Sequence, residues 1–168
     1  MGMLYPVHGS AQALAEPHVV LDSAWVVPAE PGAGERLVFG PRPEGPAERL
    51  YTLRFRHEGE APLAVLQLVH ALPAGEEYVP HSATGPRAEV SYSVDGGRSF
   101  GTPGELRRPA DPDDPAQATD RAATPADYSH IRWEIPGPHP PGLAGLVSFR
   151  TRSVTTDAPA DAPAQEAP

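Results

Sequence analysis

The chain contains no cysteine. Disulfides, thiolate metal sites and cysteine nucleophiles are therefore excluded together. Lysine is missing as well, so all 13 basic residues are arginines. Against 22 acidic residues they leave a formal net charge of −9, which disfavours nonspecific binding to nucleic acid or anionic lipid. No apolar run approaches the roughly 20 residues of a membrane-spanning helix, so no membrane insertion is expected. No segment sustains a 3.6-residue apolar period. The sequence also lacks a Gly-x-Ser-x-Gly elbow, a His-Glu-x-x-His pair and a glycine-rich phosphate loop. These absences nominate no catalytic residue and no cofactor, and the expectation is a protein that is not an enzyme.

What is abundant is punctuation. The 168 residues include 23 prolines and 16 glycines, more than helices or long central strands tolerate. Between these breaks lie short runs of strand character. His18 to Val27 is apolar, with Leu21, Trp25 and Val27 as core candidates. The loop Pro28 to Pro46 is interrupted by Leu37-Val38-Phe39. Arg49 to His57 alternates Tyr51, Leu53 and Phe55 with Thr52, Arg54 and Arg56, which reads as a strand with one wet face. Leu63 to His70 is apolar on both faces, which reads as a central strand, and Tyr78-Val79-Pro80 is a short edge piece.

Ala88 to Asp95 alternates Val90, Tyr92 and Val94 with Glu89, Ser91 and Ser93. Asp95-Gly96-Gly97 then supplies a tight hairpin turn leading to Ser99-Phe100. Pro103 to Tyr128 is polar and reads as a long mobile loop. Ile131, Trp133 and Ile135 mark another strand, Pro136 to Gly142 a turn, and Leu146 to Ser153 the last strand, with Val147 and Phe149 inward. About seven short strands with frequent turns predict an all-β fold, an antiparallel β-sandwich of the immunoglobulin-like kind. The buried set expected is Trp25, Tyr51, Leu53, Phe55, Leu66, Leu68, Val90, Tyr92, Ile131, Trp133, Val147 and Phe149.

The domain reads as 18–154. Residues 1–17 precede it as a leader or signal-peptide remnant: Ala11-Gln12-Ala13 and Ala13-Leu14-Ala15 look like signal-peptidase sites, although Met1 to Ser10 has no basic region. Residues 155–168 form an Ala/Pro tail too poor in apolar side chains to pack, expected to be disordered.

Several stretches, taken in order, resemble a known family. They are Tyr51-Thr52-Leu53-Arg54-Phe55, Val69-His70-Ala71-Leu72-Pro73-Ala74-Gly75 with Tyr78-Val79 just after, Ser82-Ala83-Thr84-Gly85, Tyr92-Ser93-Val94-Asp95-Gly96-Gly97-Arg98-Ser99-Phe100, His130-Ile131-Arg132-Trp133-Glu134-Ile135-Pro136 and Pro141-Gly142-Leu143-Ala144-Gly145-Leu146-Val147-Ser148-Phe149. Their order over Arg49 to Thr151 is similar to that of the bacterial conserved-repeat surface domain, also called domain of unknown function eleven. The resemblance implies an immunoglobulin-like sandwich, exported to the periplasm or cell surface. It carries no shared catalytic residues. The chain departs from the family pattern at His57-Glu58 and His70, and in the expanded loop Asp111 to Asp127.

Chemical candidates are few. Asp111, Asp113 and Asp114, with Asp120 or Asp127, could offer oxygens to calcium, but intervening prolines make a compact cage awkward. Asp95 in its Gly-rich turn is better read as a hairpin. The seven histidines are scattered, with none at the close spacing of a zinc site. Arg54 and Arg56 point outward from one strand, and Arg132, Arg150 and Arg152 from the last two. If those last strands pair, Arg132 and Arg150 share one face, a positive stripe that could meet carboxylate or sulfate groups. Exposed strand charges are also ordinary solvated surface. The expected role is a binding or spacer module of the cell envelope, with an envelope protein or a glycan as partner.

Overall fold

The computed structural model describes residues 17–29, 33–108 and 120–154. Among the described residues ten strands occur in chain order: β1 (His18–Pro28), β2 (Glu35–Val38), β3 (Glu48–Arg56), β4 (Leu63–Ala71), β5 (Glu76–Tyr78), β6 (Glu89–Ser93), β7 (Arg107–Arg108), β8 (Arg121–Ala122), β9 (His130–His139) and β10 (Ala144–Ser153). Five form one sheet in the order β2-β1-β3-β10-β5, and three form a second in the order β4-β9-β6. All pairings are antiparallel. The two sheets pack face to face as an immunoglobulin-like β-sandwich. Of the eight strands in them, β2 lies inside what reads from sequence as a loop.

Period-two patterning explains the packing. Tyr51, Leu53 and Phe55 of β3 and Val147, Phe149 and Thr151 of β10 point inward against Leu66 and Leu68 of β4 and Ile131, Trp133 and Ile135 of β9. Phe149 stacks on Tyr51 at 5.0 Å and meets Trp133 at 5.9 Å. Tyr78, Tyr92 and Tyr128 form a second aromatic knot, with Tyr92 Oη donating to Tyr78 Oη at 2.8 Å. Burial lifts the Tyr92 hydroxyl far above the ordinary tyrosine range, and the neighbouring Tyr78 adds to the effect. The expected core is buried throughout except Val90, which is only partly covered.

Four expectations need correction. Leu21 is half-exposed, not core. β4 is an edge strand: its two apolar faces reflect a core side and an open side. β9 runs on through Pro136 and Pro138, and the chain turns only at Pro140–Leu143. The prolines are tolerated because β6 pairs β9 only as far as Glu134, so beyond it one side of β9 needs no N–H. Finally, β9 and β10 lie in opposite sheets and do not pair.

The chain turns at Asp95, but more widely than the tight hairpin expected, because the bridge that closes the turn leaves residues 93–100 as its loop. Tyr92 and Gly101 exchange backbone hydrogen bonds, and Gly96 and Gly97 take positive φ angles of 77° and 84°. The polar loop after Pro103 is partly built: β7 pairs β8, and a 3₁₀ turn at Pro125–Asp127 follows.

Candidate functional site

The sequence candidates fall apart in space. Arg54 and Arg150 lie on the outer face of the five-stranded sheet, whereas Arg132 lies on the outer face of the three-stranded one. The stripe joining Arg132 to Arg150 does not form, because it required β9 to pair with β10. Four of the five arginines have acidic partners. Arg54 pairs with Asp22 at 2.5 Å, Arg152 with Glu77 at 3.0 Å, and Arg150 bridges Glu35 at 2.8 Å and Glu48 at 3.2 Å. Arg132 pairs with Glu134 at 3.0 Å and lies over the Phe100 ring at 4.5 Å. Arg56 makes no ion pair with a described residue. Exposed pairs of this kind contribute less than about 1 kcal/mol each. They do neutralise the positive face that a carboxylate ligand would need.

Asp111, Asp113 and Asp114 lie outside the described residues. Among the described residues no three His, Asp or Glu side chains converge as metal ligands. Asp95 is committed to its turn. Its Oδ1 accepts from the backbone N–H groups of Arg98 and Ser99 at 3.0 Å, and its Oδ2 from Ser99 Oγ at 2.6 Å. The Ser99 hydroxyl and backbone bonds, with that from Ser93, hold its carboxyl far below the usual range. The buried His57 and His139 are likewise pinned, to the carbonyls of Ala61 at 2.8 Å and Ile135 at 2.7 Å.

One interior polar cluster stands at the end of the sandwich where β3 begins. Arg49 lies between the Trp25 and Tyr51 rings, 5.3 and 5.2 Å from their centroids, and 3.6 Å from Glu76. Tyr51 Oη donates to Glu76 Oε2 at 3.0 Å, and Thr151 also donates to that carboxylate. Burial, then the Glu76 hydrogen bond, push the Tyr51 hydroxyl up to about 12. Glu76 is thus consumed by three neighbours, and the cluster closes the sandwich end.

The open feature lies elsewhere. Val19 and Phe55 are opposite each other on β1 and β3, facing the interior, yet Phe55 is 4 % exposed and Val19 40 %. The five-stranded sheet extends past β3 by two strands, whereas the three-stranded sheet stops at β4. The later half of β1 is covered by the chain after β2, where Trp25 Nε1 donates to the Gly40 carbonyl at 3.1 Å and Arg42 lies over the Trp25 ring. Among the described residues the first half has no such cover. A groove of about 440 Å³ results, floored by Val19, Leu21 and Leu53 and walled by the length of β4.

No lining residue carries a fixed charge; the one titratable group is His70. Burial, then the neighbouring His130, lower the His70 pKa and favour its neutral form. β4 is also the only edge strand of the two sheets without an acidic or arginine residue. The others carry Glu35 and Arg36 (β2), Glu76 and Glu77 (β5) or Glu89 (β6). Edge charges block unwanted strand pairing, and β4 lacks that guard. The sequence did hold a signal for this site, the apolarity of both faces of Leu63 to His70. A bare edge and a central strand share that pattern.

No family model, curated protein or solved structure matches this chain.

Proposed function

We propose that the chain is a non-enzymatic binding or spacer module of the bacterial cell envelope, working outside the cytoplasm. The observation that carries this reading is the groove along β4, mostly aliphatic in its lining and without fixed charge, in a chain of which 21 % of residues are charged. An apolar hollow beside an unguarded strand edge favours a macromolecular partner. The resemblance of the motif order between Arg49 and Thr151 to conserved-repeat surface modules supports the location.

The alternative reading, an accessory carbohydrate- or protein-binding domain of surface assembly, divides on the aromatics. Sugar platforms use exposed Trp and Tyr rings. Among the described residues Trp25, Trp133, Tyr51, Tyr78, Tyr92 and Tyr128 are all buried and the widely exposed ring is Phe39, at 74 %, so no Trp or Tyr platform is presented, which favours protein over glycan. The test is fractionation of native cells followed by in-cell crosslinking from a photoreactive residue at Val19. Recovery in the envelope fraction with a discrete crosslinked protein supports the reading. A cytoplasmic chain with no crosslink defeats it.

A further inference from the structure

The groove and the bare edge are two parts of one geometry. β4 is nine residues long, so its free side offers a ladder of about 30 Å at 3.3 Å per residue. Opposite that free side stands the inward face of β1, with Val19 and Leu21 uncovered. A strand continuing the three-stranded sheet beyond β4 would fit this place among the described residues. Its backbone would bond to β4 while alternate side chains lie on Val19 and Leu21.

The width of the overhang selects the occupant. Beside the groove only the first half of β1 projects beyond β3, because β2 pairs with Trp25 to Pro28 alone, and neighbouring strands are about 4.8 Å apart, so there is room for one strand. A second copy of the sandwich does not fit. Antiparallel pairing of two β4 strands about a two-fold axis would place both five-stranded sheets on the same side of the joined sheet. β1 of one copy would then occupy the place of β3 in the other.

The absence of fixed charge in the groove disfavours charged side chains at the positions facing it, since an unpaired charge placed there loses hydration without return. We propose that the groove is a strand-addition site that takes one extended segment of another polypeptide, with uncharged aliphatic side chains at the alternate positions that face the hollow. This rests on the binding-module reading and names its partner chemistry. Main-chain bonds along β4 supply affinity, and the hollow over Val19 and Leu21 supplies the side-chain preference.

The probe is the peptide Lys-Thr-Val-Thr-Val-Thr-Val-Thr-Lys, with a control in which Asp replaces each Val. Hydrogen exchange of the full chain is followed with and without each. The valine peptide is expected to slow the β4 amides not bonded to β9 by about tenfold or more, and the aspartate peptide to leave them unchanged. The double variant Val19→Lys, Leu21→Lys should lose the protection, whereas Val20→Lys, equally exposed but on the opposite side of the sheet, should keep it. Melting temperatures of both variants confirm that the fold survives.

Absence of protection by the valine peptide overturns the proposal, as does equal loss in both variants. A chain that dimerises in sedimentation, and is made monomeric by the double variant, assigns the groove to a second copy and overturns it too. So does a full chain whose β4 amides are already slow and become fast when it is shortened to begin at Pro17. Peptide binding by a chain found only in the cytoplasm would defeat the envelope location and leave strand addition standing. An envelope chain that ignores the peptide would do the reverse.

Discussion

Leu21 and Leu53 are register partners on β1 and β3 and point to the same side of the sheet, yet Leu53 is 3 % exposed and Leu21 47 %. Identical side chains on one face differ only in what lies above them. Leu53 sits beneath β4, and Leu21 sits beyond the point where the second sheet ends.

This pair yields the first prediction. Leu53→Ala should cost about 2–5 kcal/mol, because it leaves a cavity under a closed sheet. Leu21→Ala should cost under about 1 kcal/mol, since much of its surface already meets water. Urea denaturation of the two variants measures both. Equal losses would show that the first half of β1 is covered in the free protein.

Gly145 lies opposite Phe55 across β10 and β3, and a Cβ built there would stand 2.6 Å from Phe55 Cζ. The glycine is required by the close approach of this ring. Gly145→Val is expected to destabilise by about 1–3 kcal/mol through overpacking. Adding Phe55→Leu should recover part of that loss, a non-additivity that thermal unfolding of the double-mutant cycle would show. Strictly additive losses would separate the glycine from the ring.

Acid should weaken the loops before the core. Asp127 is held down to about 2 by Arg121, at 2.6 Å, and by the backbone and hydroxyl of Thr124, while Asp95 is depressed by Ser99 and Ser93. A carboxyl whose folded pKa lies below its unfolded value of 3.8 stabilises the fold above pH 3.8. That contribution declines as pH falls below 3.8 and is gone once pH passes below the folded value. Stability should therefore drop between about pH 4 and pH 2. Asp95→Asn and Asp127→Asn should each flatten that slope in a series of melts. An unchanged slope would mean that these carboxylates are no better held folded than unfolded.

Much of the fold was legible before any coordinates, and for a definite reason. Alternation in Tyr51-Thr52-Leu53-Arg54-Phe55 and Ile131-Arg132-Trp133-Glu134-Ile135 assigns each residue to a side, because successive strand side chains point oppositely. Asp95-Gly96-Gly97 announces its turn because glycine alone enters positive φ without strain. These are local constraints, readable within a few residues.

The groove was not legible in that way. Val19, Leu21, Val65 and Val69 are as apolar as the core, and nothing local distinguishes a covered face from a bare one. The arginine stripe failed for the same kind of reason. Outward direction is a property of one strand, but nearness of Arg132 to Arg150 depends on which sheet each strand joins. The amino-acid order thus settled strand identity, facing and turns, which rest on backbone geometry and side-chain polarity. The tertiary arrangement alone decided strand neighbours, and with them the unequal widths of five strands against three. From that inequality come the open edge at β4 and the uncovered leucine beside a buried one.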